Sequence, residues 1–398
     1  MIENRDRELW SRLLIAAALH EAGVSSVVGS QRLMGPNLED LPQGCVVFKG
    51  MNKAQRAGVE RAKRSGHVTA AIDEEGLNIC DPAHYRRDIA ANIGIHISFV
   101  SQKWQEDHAP GGVLTGNPRL DLLHRPEVFG EPALWRKKGE ERGDYVLINT
   151  NSGGGNPKIG SIREYHGMCE SIGYFEDRED FLDHIRHDWA NIRNIRAFIE
   201  AYIESCDGYI LLRPHPSENP DPWFDLYRGH PRVSVTPDGS HVQMIKGAKC
   251  LVHTGCTTAI EAAHVGVPSV SILAGDYDDE VFASNHEPFS STGDIFKAVS
   301  MVMDAPPVGS RISGEDRKVF LQEFGSDGIA HRRIAERLAP LSGQKEAVAL
   351  KHTEAHGEEY FKAKGRFDGS DIKAFCGKWG LDLPHRQIGE SVYQLGDL

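Results

Sequence analysis

The chain has 398 residues, 40% of them hydrophobic, and a formal charge of −12 from 45 basic and 57 acidic side chains. That length exceeds what one hydrophobic core normally reaches, so two domains are expected, and the acidic balance gives no support to general nucleic-acid binding while leaving room for a local basic site. Seven singly spread cysteines (45, 80, 169, 206, 250, 256, 376) fit reduced thiols, and no run reaches the ~20 apolar residues of a membrane span. With no signal peptide visible, a cytoplasmic protein is expected, at most peripheral at the inner face of the membrane.

Residues 7–22 place Leu9, Trp10, Leu13, Leu14, Ala17 and Ala18 on one helical stripe, and Gly23 stands where that helix stops. Strand-like runs follow at Ser25–Val28, Cys45–Phe48, Val68–Ile72, Ile95–Val100 and Gly112–Leu114, with helix-compatible segments at Lys53–Ser65 and Pro82–Ile93. This alternation predicts an α/β layer with a parallel sheet. Because the first helix begins almost at Met1, the strand that usually opens such a domain is expected to be missing or very short. A charged stretch from Trp135 to Asp144 reads as an interdomain linker, and the pattern restarts at Tyr145–Asn149. A long helix from about Asp177 to Cys206 and strands near 209–213, 232–235, 249–252 and 269–273 complete a second α/β half. The expected domains are 1–140, 141–343 and a helical extension, 344–398, which is rich in charge and poor in strand-like runs.

Five polar blocks stand at the ends of these strands. Asp73-Glu74-Glu75-Gly76 follows Val68–Ile72, where the carboxyl ends of parallel strands face a ligand crevice. Mutual repulsion of three acids should raise at least one pKa, as a general acid or base requires. Gly76 would permit the sharp turn; the plain alternative is a solvated acidic turn. Asn117 and Arg119 in Gly116-Asn-Pro-Arg119 end the first half, Arg119 either meeting substrate or fixing the loop. Asn149-Thr-Asn151-Ser152-Gly153-Gly-Gly-Asn156 would let backbone approach a ligand, or is a flexible seam; it is no P-loop, since no Gly-Lys-Ser/Thr follows.

Arg213-Pro-His215-Pro216 holds an imidazole extended at a strand end, ready to donate to phosphate. Arg213 offers a second contact or an ion pair. His253-Thr254-Gly255-Cys-Thr257-Thr258 opens into a helix-like segment, a phosphate seat of hydroxyls and free N–H groups. Thr258-Ala-Ile-Glu261 also matches a capping box, so Glu261 either caps the helix or accepts from ribose. Asp276-Tyr-Asp-Asp279 reads as solvated, and His166, His184 and His187 lack metal spacing. No metal site is expected.

On these residues the chain resembles the surface-carbohydrate-biosynthesis proteins, which are similar to GT-B glycosyltransferases that use CMP-activated acidic sugars. The resemblance covers roughly residues 5–340. It implies two Rossmann-like domains facing a cleft, with Glu75, then Glu74, as the carboxylate of the acidic-acidic-Gly motif. His215-Pro216 would contact the CMP phosphate and Thr257-Thr258 would complete the nucleotide site. The implied reaction moves Kdo or a sialic-acid-like sugar from a CMP donor to a glycan or lipid-linked glycan acceptor, with no cofactor, metal or nucleic acid. Two alternatives remain: a UDP-sugar 2-epimerase-like or CDP-polyol phosphotransferase-like enzyme of the same architecture, or a silent scaffold in polysaccharide assembly.

Overall fold

The computed structural model describes residues 1–90, 94–137, 139–275, 279–286, 288–305, 327–343, 350–352 and 364–396. They form two compact units: Met1–Leu77, Pro82–Val128 and the described residues from 327 onward in the first, Asn78–Asp81 and 129–305 in the second.

In the first unit, α1 (Arg5–Glu21) starts at Asn4, whose side chain accepts the Asp6 N–H, and buries Leu9, Leu13, Leu14 and Ala17 as its stripe predicts. Strands β2 (Cys45–Phe48), β3 (Val68–Ile72), β4 (Ile97–Val100) and β5 (Gly112–Leu114) lie in that order, all parallel. The sheet packs Ala70, Ile72 and Phe99 against Ile15 and Leu19 of α1 and against Ile334 and Leu338 of a later helix, Ala330–Leu338.

The run near residue 25 does form a strand, β1 (Ser26–Gly29), but outside that sheet. It pairs antiparallel with β15 (Val392–Leu395), which pairs in turn with β14 (His385–Gly389). The C-terminal segment therefore contributes a hairpin beside its helix Gly369–Trp379. Short β-runs such as His385–Gly389 carry too little apolar character to stand out in a sequence.

The second unit holds β8 (Tyr145–Asn149), β9 (Ile210–Arg213), β10 (Val233–Val235), β11 (Ala248–His253), β12 (Ser269–Ile272) and β13 (Ser290–Thr292). Their order is β10-β9-β8-β11-β12-β13, every neighbour parallel. Counted along the chain this is 3-2-1-4-5-6, the doubly wound Rossmann order. All five residues of β8 are buried, as a strand covered on both faces should be. The long helix α7 (Arg178–Ser205) covers it through Ile195, Phe198, Ile199 and Tyr202. The expected linker is not a linker: Trp135–Lys137 (β6) and Glu140–Arg142 (β7) form an antiparallel ribbon. Trp135 is 1% exposed and its Nε1–H donates to the Ile210 carbonyl at 3.0 Å. The charges that suggested a linker lie on the ribbon's solvent side, with β7 exposed throughout.

Candidate functional site

In the 3-2-1-4-5-6 order the direction of winding reverses between β8 and β11, and open α/β sheets bind ligands beyond the carboxyl ends at such a point. Here those ends are Asn149 and His253, which sit opposite one another in register, with Arg213 and Ser271 as their outer neighbours. Parallel partners in register point to one face, so Arg213, Asn149, His253 and Ser271 form a polar row closing an apolar sheet.

Two members of the row are buried with unmet hydrogen-bonding capacity. Asn149 is 2% exposed, and neither Oδ1 nor Nδ2 has a partner among the described residues. His253 is fully buried; its Nδ1 accepts from the Gly255 N–H at 3.1 Å and the Cys256 N–H at 3.3 Å, while Nε2 has no partner among the described residues. Because Nδ1 accepts, the neutral ring carries its proton on Nε2. Burial pushes the His253 pKa down to about 3, so the ring is an uncharged donor at neutral pH. The Thr254 and Thr258 hydroxyls, also buried, lack partners too. Native interiors satisfy nearly all buried polar groups, and clustered exceptions call for a missing ligand or water.

The chain after β11 turns into α10 (Thr258–Val265) through Gly255, at φ +75°. A Cβ there would also lie 2.7 Å from the Phe282 ring, so both the left-handed backbone and the close packing require glycine. Thr257 is the N-cap residue but makes no side-chain cap bond, and the expected capping box does not form. Glu261 instead lies 3.1 Å from His241 Nε2. The N-terminal N–H groups of α10 thus lack a side-chain cap, and its dipole favours an anion at that end.

The loops after β8 and β9 meet here. Asn151 Nδ2–H donates to the Gly255 carbonyl at 3.4 Å, joining the β8 and β11 loops. His215 donates its N–H to Thr150 Oγ1, and its Nδ1 contacts the Ser217 hydroxyl at 2.6 Å. Pro216 lies between them, half-buried. Glu218, 1% exposed, ties the loops together by accepting from Thr150 Oγ1–H (2.6 Å), the Ser152 N–H (2.8 Å) and Trp223 Nε1–H (3.1 Å). Burial pushes its pKa up, against these donors.

The glycine-rich loop has a different reason from the expected one. A Cβ on Gly153 would lie 2.1 Å from Ser217 Oγ, one on Gly154 2.7 Å from His184, and one on Gly155 2.8 Å from the Asp188 Cβ. Asp188 Oδ2 accepts both the Gly154 and Gly155 N–H groups at 2.8 Å. These glycines seat the loop on α7, and the anion their amides hold is the protein's own carboxylate.

In the first unit the acidic motif follows β3, but its three acids are unlike. Asp73 is 5% exposed and accepts the Gly76 N–H at 3.0 Å. A Gly76 Cβ would fall 1.9 Å from Asp73 Oδ2; close approach, and not a positive φ, demands glycine there. Glu74 is 2% exposed and lies 3.2 Å from both Arg12 Nη2 and Arg119 Nη1. Arg119 therefore fixes its loop, where Asn117 caps the helix α5 (Pro118–Leu122) by accepting the Arg119 N–H at 2.9 Å. Glu75 is the exposed member, its side chain 45% accessible and 3.9 Å from Lys49 Nζ. Crowding by protein works to raise its pKa, but the Arg7 and Lys49 charges outweigh this and hold it below the usual carboxylate range. The expected raised pKa does not occur at Glu75, because cations surround the motif and offset the mutual repulsion.

Of the other residues singled out in the sequence, Asp276 to Asp278 lie outside the described residues, and Asp279 accepts the Gly275 N–H at 2.6 Å. His184 sits 3.8 Å from Asp188. The sequence marks the blocks that open on Asn149 and His253 but assigns neither residue a role, and it does not mark Glu218. The available signal was a polar residue closing an otherwise apolar strand, Val-Leu-Ile-Asn149 and Cys-Leu-Val-His253.

No family model matches the chain, and no curated protein does. Among solved structures it is similar to UDP-GlcNAc 2-epimerase of Methanocaldococcus jannaschii in complex with UDP-GlcNAc and UDP, at 15% identity and a TM-score of 0.47, covering 75% of this chain and 76% of that one. A putative UDP-N-acetylglucosamine 2-epimerase from Listeria monocytogenes is 15% identical with a TM-score of 0.42, covering 84% and 79%. The wall teichoic acid polymerase TagF is 12% identical with a TM-score of 0.37, covering 69% and 68%.

Proposed function

We propose that this protein is an enzyme acting on a nucleotide-activated sugar or polyol, with the nucleotide phosphates seated at the carboxyl end of the second unit's sheet. The observation that carries this reading is the pair of buried, unpartnered groups, Asn149 and His253 Nε2–H, at the switch point beside the α10 N-terminus. His253 donates one hydrogen bond without adding charge, Asn149 donates or accepts, and the Thr254 and Thr258 hydroxyls add further donors. The α10 dipole supplies the electrostatic bias toward an anion. Glu218 and Asp188 position the surrounding loops and do not touch the ligand.

Between the two nucleotide classes, the geometry favours a UDP- or CDP-linked substrate over a CMP-linked acidic sugar. The latter reading rests on an available carboxylate base in the acidic motif. Glu74 is held by two arginines, Asp73 is turned to the Gly76 amide, and Glu75 is held at low basicity, a poor match to proton abstraction near neutral pH.

Calorimetric titration with UDP, CDP, UMP and CMP tests both parts. Binding of UDP or CDP, weakened about 10- to 100-fold by Asn149→Ala or His253→Ala as expected for hydrogen bonds to a charged group, supports the proposal. Binding of CMP alone returns the acidic-sugar transferase to the front. No binding by any of the four contradicts the assignment.

A further inference from the structure

The first unit contains a cavity of about 390 Å³ in the space between β1 and β2, beside α1. It lies where β1 leaves the parallel sheet to pair with β15, so that among the described residues β2 keeps β3 alone as a strand neighbour. Its volume lies in the range of small-molecule sites. Ile15, Val28, Leu41 and Val46 are among its apolar walls.

Polar side chains also line it, among them Arg12, Ser26, Gln43, His67 and Gln394, and they are unequal. His67 is already engaged through both nitrogens, Nε2 with the Leu38 carbonyl at 2.7 Å and Nδ1 with the Gly44 N–H at 3.3 Å. Arg12 is different: it is 5% exposed, its Nη2 lies 3.2 Å from Glu74 Oε1, and among the described residues its Nε and Nη1 have no hydrogen-bond partner. The Ser26 hydroxyl is also buried without one. Two guanidiniums, Arg12 and Arg119, share the single Glu74 carboxylate. A buried guanidinium with idle donors beside an apolar chamber is complementary to an anion that carries an aliphatic body.

We propose that this cavity binds a linear aliphatic chain bearing one anionic head group, the chain against the apolar walls and the head at the Arg12 guanidinium and Ser26. This site belongs to the first unit, and the nucleotide seat proposed above belongs to the second.

The test is titration of the full chain with dodecanoate, dodecyl phosphate and dodecanol. Dodecanoate or dodecyl phosphate should bind one to one, at least tenfold tighter than dodecanol; whichever anion binds more tightly identifies the head group. Octanoate should bind about a hundredfold more weakly than dodecanoate, since four methylenes leave the cavity unfilled. Ala16→Phe, at a lining position on α1, should lower affinity at least tenfold. Leu41→Trp, on a half-buried wall, should do the same and serves if Ala16→Phe does not fold. Absence of binding by all three amphiphiles, equal affinity for dodecanol and dodecanoate, or indifference to the folded variants overturns the proposal. Because the nucleotide titration reads the other unit, failure of either reading is separable from failure of the other.

Discussion

Arg12, Glu74 and Arg119 place three formal charges where side-chain exposure is 3–5%. Such a group adds little net stability when complete, because desolvation offsets attraction, but removing one partner leaves a bare buried charge. Glu74→Ala should therefore cost about 3–5 kcal/mol in urea unfolding, more than any effect of Glu75→Ala. Equal, small costs at both positions would show that Glu74 is hydrated. His253 makes a pH prediction of definite sign. Its folded pKa of about 3 lies below the unfolded value near 6.5, so between those values the unfolded chain binds the extra proton. Stability should fall as pH drops below 6.5, by about 2 kcal/mol from this residue at pH 5. His253→Gln should flatten that part of the curve; an unchanged slope would show that the ring protonates freely in the folded state.

At the scale of elements, α7 anchors the loop after β8 through the Asp188 carboxylate, with Trp189 Nε1–H donating to the Gly155 carbonyl at 3.1 Å. Removing it in Asp188→Ala strands the Gly154 and Gly155 amides, which should cost about 2–4 kcal/mol and raise hydrogen exchange across 151–156. Unchanged exchange there would mean that the loop holds itself. The strands that the sequence made legible, such as Cys45–Phe48, Val68–Ile72 and Tyr145–Asn149, are short apolar runs bounded by turns, where pattern and burial coincide. What escaped it depends on partners distant along the chain. The antiparallel pairing of β1 with β15 joins segments more than 360 residues apart, and the docking of Trp135 on Ile210 turns an apparent linker into a ribbon. The site divides in the same way. His215 and the Thr257-Thr258 turn were legible because strand-end position announces them, and Asn149 and His253 become visible only when sheet register sets them side by side. The triple glycine reads in the sequence as a loop open to close backbone approach by a ligand, but the position of Asp188 shows that the loop closes on the protein's own carboxylate.

For the whole molecule, the C-terminal hairpin belongs to the first unit, and Val392 and Leu395 of β15 are fully buried there. A chain ended at residue 363 should lose β1 pairing and expose that core, giving an aggregating protein or one whose first transition melts well below that of the full chain. A soluble truncation with unchanged melting would show that the hairpin is an ornament. Among the described residues no helix is long and apolar enough to cross a membrane. The second unit's switch point is the central element, and a crystal structure grown with UDP, and in parallel with CDP, examines it directly. Phosphate density is expected within hydrogen-bonding distance of His253 Nε2 and Thr258 Oγ1, at the α10 N-terminus. Nucleotide density elsewhere, with Asn149 and His253 bridged by ordered water alone, would contradict it.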